Sequence, residues 1–132
     1  MLSACDNVYV IDPDESVHDA LTTLLQSVNV RVACYRTPEA FLNACAVQGA
    51  GNCCVLLEAD LPGIGSLALI REVRAQAPTM PIIVLASTTD DDIAAQALKA
   101  GALDVIDKPL FGAHLLDRIL GVAANARYAA AT

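Results

Sequence analysis

The sequence predicts an α/β domain: a doubly wound, five-stranded parallel sheet with helices on both faces. Three observations lead there. The hydrophobic period switches repeatedly between short β-branched runs and helical spacing, giving a strand followed by a helix five times over. The strand runs are apolar almost throughout instead of alternating, which is how strands buried on both faces read. The chain of 132 residues is 55% apolar but only 4% aromatic, so its core must be built from Val, Ile, Leu and Ala. That length suits one domain, and parallel pairing with right-handed crossovers follows from the alternation.

The elements read off in order. Val8-Tyr9-Val10-Ile11 is the first strand. From Glu15 to Val28 the period becomes helical, with Val17, Leu21, Leu24, Leu25 and Val28 on one face. Val30 to Tyr35 is the second strand. Thr37-Pro38 supplies an N-cap and a proline at the first helical position for a helix carrying Phe41, Leu42 and Ala44. Cys53 to Leu57 is the third strand and central. Ser66 is the expected cap of a helix through Leu69, Ile70, Val73 and Ala77, with Pro78 and Pro81 bracketing its exit. Ile82-Ile83-Val84-Leu85 is the fourth strand. Asp90, Asp91 and Asp92 place negative charge at the start of the next helix, which runs through Ile93, Ala97 and Leu98 and stops at Gly101. Leu103 to Ile106 is the fifth strand, and a last helix carries Leu115, Leu116, Ile119, Leu120 and Val122. Residues 1–122 thus form the domain. The alanine-rich stretch 123–132 is expected to extend the last helix or to begin a linker.

Charge and cysteine usage exclude several classes. A formal net charge of −7 repels phosphate backbones, and no Lys/Arg cluster occurs, so direct nucleic-acid contact is not expected. Cys5, Cys34, Cys45, Cys53 and Cys54 show no zinc-type spacing and read as reduced thiols of a cytoplasmic protein, with a redox role for Cys53-Cys54 as the alternative. His18 and His114 fall on helical patterns without companion ligands. No signal peptide is evident, and no stretch approaches the ~20 apolar residues of a membrane span, so neither is expected.

In open α/β sheets, ligands bind beyond the carboxyl ends of the strands. Those ends carry Asp12-Pro13-Asp14-Glu15, Glu58, Ala86-Ser87-Thr88 and Asp107-Lys108-Pro109. Several acids and one lysine converge on one edge, a pattern suited to receiving phosphate. No Gly-rich phosphate loop follows the first strand, which speaks against a flavin or nucleotide site.

At Pro81-Ile82-Ile83-Val84-Leu85, Ala97-Leu98-Lys99-Ala100-Gly101-Ala102 and Asp107-Lys108-Pro109 the chain resembles the receiver domain of two-component response regulators, most closely the FixJ-like branch. The likeness covers about residues 7–120. It implies a flavodoxin-like (βα)5 fold with strand order 2-1-3-4-5. It also implies a set of roles: an aspartate nucleophile ending the third strand, paired acids holding Mg²⁺, a Ser or Thr ending the fourth strand, a lysine after the fifth, and an aromatic on the fifth that reports the change. Phosphoryl transfer needs such a nucleophile and such positive charge.

Position by position, Asp12 matches the first paired acid and Lys108 the lysine, followed by Pro109. Four positions depart. Pro13 stands at the second acid and has no ligating side chain. Glu58 stands at the acceptor, one methylene too long. Ala86 stands at the Ser/Thr position, with Ser87 and Thr88 displaced along the chain. Val105 stands at the reporting aromatic. The expectation is a degenerate phosphate pocket of Asp12, Pro13, Asp14, Glu58, Ala86 and Lys108 with no catalysis and no cofactor. Glu58 and Lys108 would form a permanent ion pair there. Weak Mg²⁺ binding through Asp12, Asp14 and Glu58 stays open, as does Asp60 as substitute acceptor. The resemblance implies action in signal transduction and transcription regulation. A phosphorylation-independent module would pair through helix four, strand five and helix five, including Ala94, Leu98, Val105 and residues near Leu110 to His114. The alternative is a phosphorylatable regulator of a phosphorelay with altered acceptor chemistry. A sensor histidine kinase and an attached DNA-binding domain are the further partners the resemblance implies.

Overall fold

The structure is a computed structural model that describes residues 7–44, 52–61, 63–86, 91–107, 115–119 and 121. Its elements alternate as β1 (Asn7–Ile11), α1 (Glu15–Gln26), β2 (Arg31–Tyr35), α2 (Pro38–Asn43), β3 (Asn52–Glu58), α3 (Gly65–Gln76), β4 (Ile82–Ala86), α4 (Asp91–Ala100) and β5 (Asp104–Asp107). Residues 115–119 form a fifth helix, α5. The sheet order is β2-β1-β3-β4-β5, and every pairing is parallel. This is the flavodoxin-like arrangement expected from the sequence.

Period-two side-chain direction divides the core into two layers. Val8, Val10, Cys54, Leu56, Ile83, Leu85 and Ile106 meet Val17, Leu21 and Leu25 of α1 and Leu115 and Ile119 of α5. Their neighbours Ile11, Val55, Leu57, Ile82 and Val84 meet Phe41 of α2, Leu69, Ile70 and Val73 of α3 and Ala97 of α4. The apolar stripe expected on α1 is present, with Leu24 and Val28 only half-buried. The chain turns out of α1 through Asn29 at φ 63, a left-handed position that asparagine tolerates. Aromatic side chains are few, yet Phe41 gathers two of them, with ring centroids 5.7 Å from Tyr9 and 5.4 Å from Tyr35.

Helices α3 and α4 are held differently. α3 buries three large side chains, Leu69, Ile70 and Val73. Among the described residues of α4 only Ala97 is buried, while Ile93 and Leu98 face solvent. Burial of a large aliphatic side chain contributes roughly 1.5–3 kcal/mol and a single methyl-sized group about 0.8, so α4 is the more weakly anchored of the two. A polar fastening offsets this. Arg74, in the last turn of α3, donates from Nη1 to the carbonyls of Pro78 (2.7 Å) and Met80 (2.9 Å), and from Nη2 to that of Gly101 (2.6 Å). Burial lowers the Arg74 pKa from its ordinary value. At the same end of the sheet, Arg118 of α5 grips the Asp104 carboxylate with Nε and Nη2, the first at 2.9 Å.

Several boundaries differ from the sequence reading. Ser66 is not the cap of α3: the helix begins at Gly65, and Ile64 at the cap position makes no side-chain capping bond. Glu39 of α2 substitutes from across the layer, accepting the Ile64 N–H at 3.2 Å. β3 runs on through Glu58 and β5 is shifted one residue later, because register with the neighbouring strand, not local composition, ends a strand.

Candidate functional site

Register brings the two buried acids together. Ile11 pairs with Leu57 across β1 and β3, so Asp12 and Glu58 leave the carboxyl edge on adjoining strands. Glu58 pairs with Leu85, and Ala86 with Asp107. Asp12 is 1% exposed and Glu58 7%, the two buried charged residues of the described core. Buried carboxylates need hydrogen-bond partners, and no buried side-chain nitrogen or oxygen among the described residues lacks one.

Each acid is engaged by its own stretch of chain. Asp12 Oδ1 accepts the Asp14 N–H at 2.8 Å, closing a turn over Pro13. Asp14 is the N-cap of α1, its Oδ1 accepting the Ser16 N–H at 2.9 Å and the Ser16 hydroxyl at 2.8 Å. Glu58 Oε2 folds back to accept the Ala59 N–H at 2.8 Å, an N–H that also reaches the Leu85 carbonyl at 2.9 Å. Asp60 is exposed in the following turn.

Three side chains around the pocket were not singled out for these roles by the sequence. His18 Nε2 donates to the Asp12 carbonyl at 2.6 Å. It stands four residues after Asp14, one turn into α1, the spacing that points a side chain back over the cap. Ser66 Oγ donates to the Ala59 carbonyl at 2.8 Å, tying α3 to the residue after Glu58. Glu39 lies against Gly63, which sits at φ +74, a backbone conformation that favours glycine. Of the remaining pocket residues, Ala86 is buried and has no hydroxyl to offer, and Val105 is half-buried against the α3–α4 layer. Lys108, Pro109, Ser87, Thr88, Leu110 to His114 and the stretch 123–132 lie outside the described residues.

Among the described residues the donor set does not fit a Mg²⁺ site. A small divalent ion wants several converging oxygens in near-octahedral geometry. Pro13 supplies none, and the Asp14 carboxylate is turned to the helix cap. Among the described residues no group of three His, Cys, Asp or Glu could hold a metal ion. Cys34 and Cys54 are free thiols, and burial raises the pKa of both, which lowers the fraction present as thiolate. No helix among the described residues is long and apolar enough to cross a membrane.

A family model described as the response regulator receiver domain matches residues 8–120. The chain belongs to this family. As a receiver domain it is related to FixJ-like regulators. It is 33% identical over 112 residues to the response regulator protein TmoT of Ectopseudomonas mendocina, covering 85% of this chain and 50% of that one. It is 33% identical over 103 residues to the transcriptional regulatory protein FixJ of Bradyrhizobium diazoefficiens, covering 78% and 49%. The crystal structure of full-length FixJ from B. japonicum superposes with a TM-score of 0.83 at 31% identity, over 95% of this chain and 61% of that one. The BeF3-activated DrrB receiver domain superposes with a TM-score of 0.78 at 28% identity, over 87% and 94%. The receiver domain here thus spans about half the length of the curated relatives it matches.

Proposed function

We propose that this receiver domain is an atypical one of the FixJ-like branch. It works in signal transduction as a phosphorylation-independent protein-interaction or dimerisation module, and performs no catalysis of its own. The observation that carries this reading is the Glu58 carboxylate, folded onto the N–H of the next residue. A nucleophile must point out of the edge toward an incoming phosphoryl group, and the nearest backbone donor should be available to that group's oxygens. Here the acid has taken that donor. A displacement of ~1 Å from productive geometry lowers a rate about 10²-fold. Pro13, the capped Asp14 and the hydroxyl-less Ala86 each remove a further part of the machinery.

The interaction surface is the α4–β5–α5 face. Leu98 is 49% exposed and Leu103 52% exposed, with Val105 half-buried between them and the core. A second copy of the chain is the proposed partner. The match covers about half of the curated relatives' length, and several of them are named transcriptional regulatory proteins. We therefore propose that the domain governs an attached or associated DNA-binding output and contacts no nucleic acid itself.

Incubation with a small phosphodonor and Mg²⁺, followed by intact-mass measurement, tests the first part. The expected result is no added phosphoryl group. An adduct that disappears in Asp60→Asn would establish the alternative, a working phosphorelay regulator with a displaced acceptor. Sedimentation of the chain and of Leu98→Asp tests the second part: the wild type associates and the variant does not.

A further inference from the structure

We propose that the Asp104–Arg118 pair closes the free side of β5 to strand addition, so that a second copy meeting the α4–β5–α5 face is held by side chains and not by a continued sheet. β5 is one of the two outermost strands. The free side of such a strand presents unpaired N–H and carbonyl groups, a template for a strand from another chain. Register identifies the groups concerned. The Pro81 and Leu85 carbonyls accept from Val55 and Ala59 of the β3 side. Direction alternates along a strand, so Ile82, Val84 and Ala86 turn their backbone groups to β5. Val84 lies opposite Val105, between Asp104 and Ile106. In a parallel ladder a residue bonds to the two that flank its opposite number. Val105 therefore turns its own N–H and carbonyl away from the sheet.

Both groups are taken by side chains. The Val105 N–H donates to Asp104 Oδ1 at 2.9 Å. The Val105 carbonyl accepts from Arg118 Nη2 at 3.4 Å, the longest bond of the set. Arg118 is itself fixed, its Nε donating to Asp104 Oδ2 at 2.9 Å and its Nη2 to Oδ1. One carboxylate and one guanidinium thus cover both peptide groups that an added strand would need. β5 has only four residues, with an acid at each end, Asp104 and Asp107, and short, charged outer strands resist pairing for the same reason. The cover matters because Leu98 and Leu103 beside it are exposed, and apolar surface next to open backbone invites aggregation. The Arg118 and Asp104 side chains are 35% and 25% exposed, so the pair adds little to stability. Its position over Val105 gives it this other use.

The inference rests on the α4–β5–α5 face being the meeting surface proposed above, and the test separates the two. Asp104→Ala with Arg118→Met removes one charge of each sign and leaves the net charge at −7. Placed in the full chain, alone and together with Leu98→Asp, the double variant is compared with wild type by sedimentation and amide I infrared spectroscopy. It is expected to form open-ended species with the band of intermolecular β-sheet in both backgrounds, while wild type shows none. By NMR-detected hydrogen exchange the Val105 amide should exchange roughly tenfold faster in Asp104→Ala, and within about threefold of wild type in Asp104→Asn, which keeps the acceptor oxygen. Should the double variant fail to fold, that amide decides alone. A double variant without the band, a wild-type assembly that already shows it, or an unchanged Val105 amide in Asp104→Ala would overturn the proposal. A wild type that stays single, with the double variant still assembling, would sink the meeting surface and leave the guard on β5 standing.

Discussion

The two ends of the sheet are closed in opposite ways. At the carboxyl edge three of the described acids bond to backbone one or two residues away: Asp12 to Asp14, Asp14 to Ser16, Glu58 to Ala59. At the amino edge the fastenings are arginines that span the chain, Arg74 reaching 27 residues on to Gly101 and Arg118 reaching 14 back to Asp104. Local bonds shape a loop without committing the elements around it to one another. Long-range bonds join elements that are distant in sequence. The departures at Pro13, Glu58 and Ala86 fall where these local bonds lie, while Glu39 to Ile64 and Ser66 to Ala59 are the bonds that join elements at this end. The opposite end carries the assembly.

Substitutions at the two ends should therefore differ in size and in reach. The largest effect is expected from Arg74→Met, which removes three bonds to carbonyls and should lower stability by about 2 kcal/mol in urea denaturation. A smaller loss of equal reach at the pocket end would erase the distinction. A control indifferent to either end comes from Cys54 in mid-sheet. Its buried thiol keeps its proton in the folded chain, whereas unfolding returns it to the ordinary value of 9.0. Unfolding then releases a proton, so the stabilisation is complete below that value and fades as pH rises past it. The loss is about 1.4 kcal/mol by one unit above, and Cys54→Ala should flatten the alkaline slope. Next comes Asp14→Ala, expected to remove about 1 kcal/mol as the cap of α1 is lost. The change in amide protection should stay within the first turn of that helix. Smallest is Arg118→Met, under about 1 kcal/mol because the pair is partly exposed, with a difference from wild type that shrinks as salt is added.

The same contrast explains what the sequence disclosed. Periodicity located all nine strands and helices up to α4 and β5, since apolar runs such as Ile82 to Leu85 fix both the element and the two faces it presents. The acids at strand ends were visible because strand ends are visible, and the departures at Pro13, Glu58, Ala86 and Val105 could be read one position at a time. Side-chain direction was not legible. Asp14 as a helix cap, the Glu58 carboxylate turned onto Ala59, and Ser66 bonding backward instead of capping α3 depend on rotamers chosen by neighbours from other elements. The pairings of Arg74 with Gly101 and Arg118 with Asp104 were invisible for a simpler reason. Nothing local distinguishes them from exposed arginines on helical surfaces, and only the folded topology brings their acceptors within reach.

The aromatic trio at the α2 corner has a practical consequence. The chain contains no tryptophan and three tyrosines, two of which, Tyr9 and Tyr35, pack against Phe41 in tilted and edge-on geometry. Ultraviolet emission from this protein is thus weighted toward one small patch where β1 and β2 meet a six-residue helix. A fluorescence melting curve would follow the opening of that corner, and its midpoint should be set beside circular dichroism before either is taken as the unfolding of the whole domain.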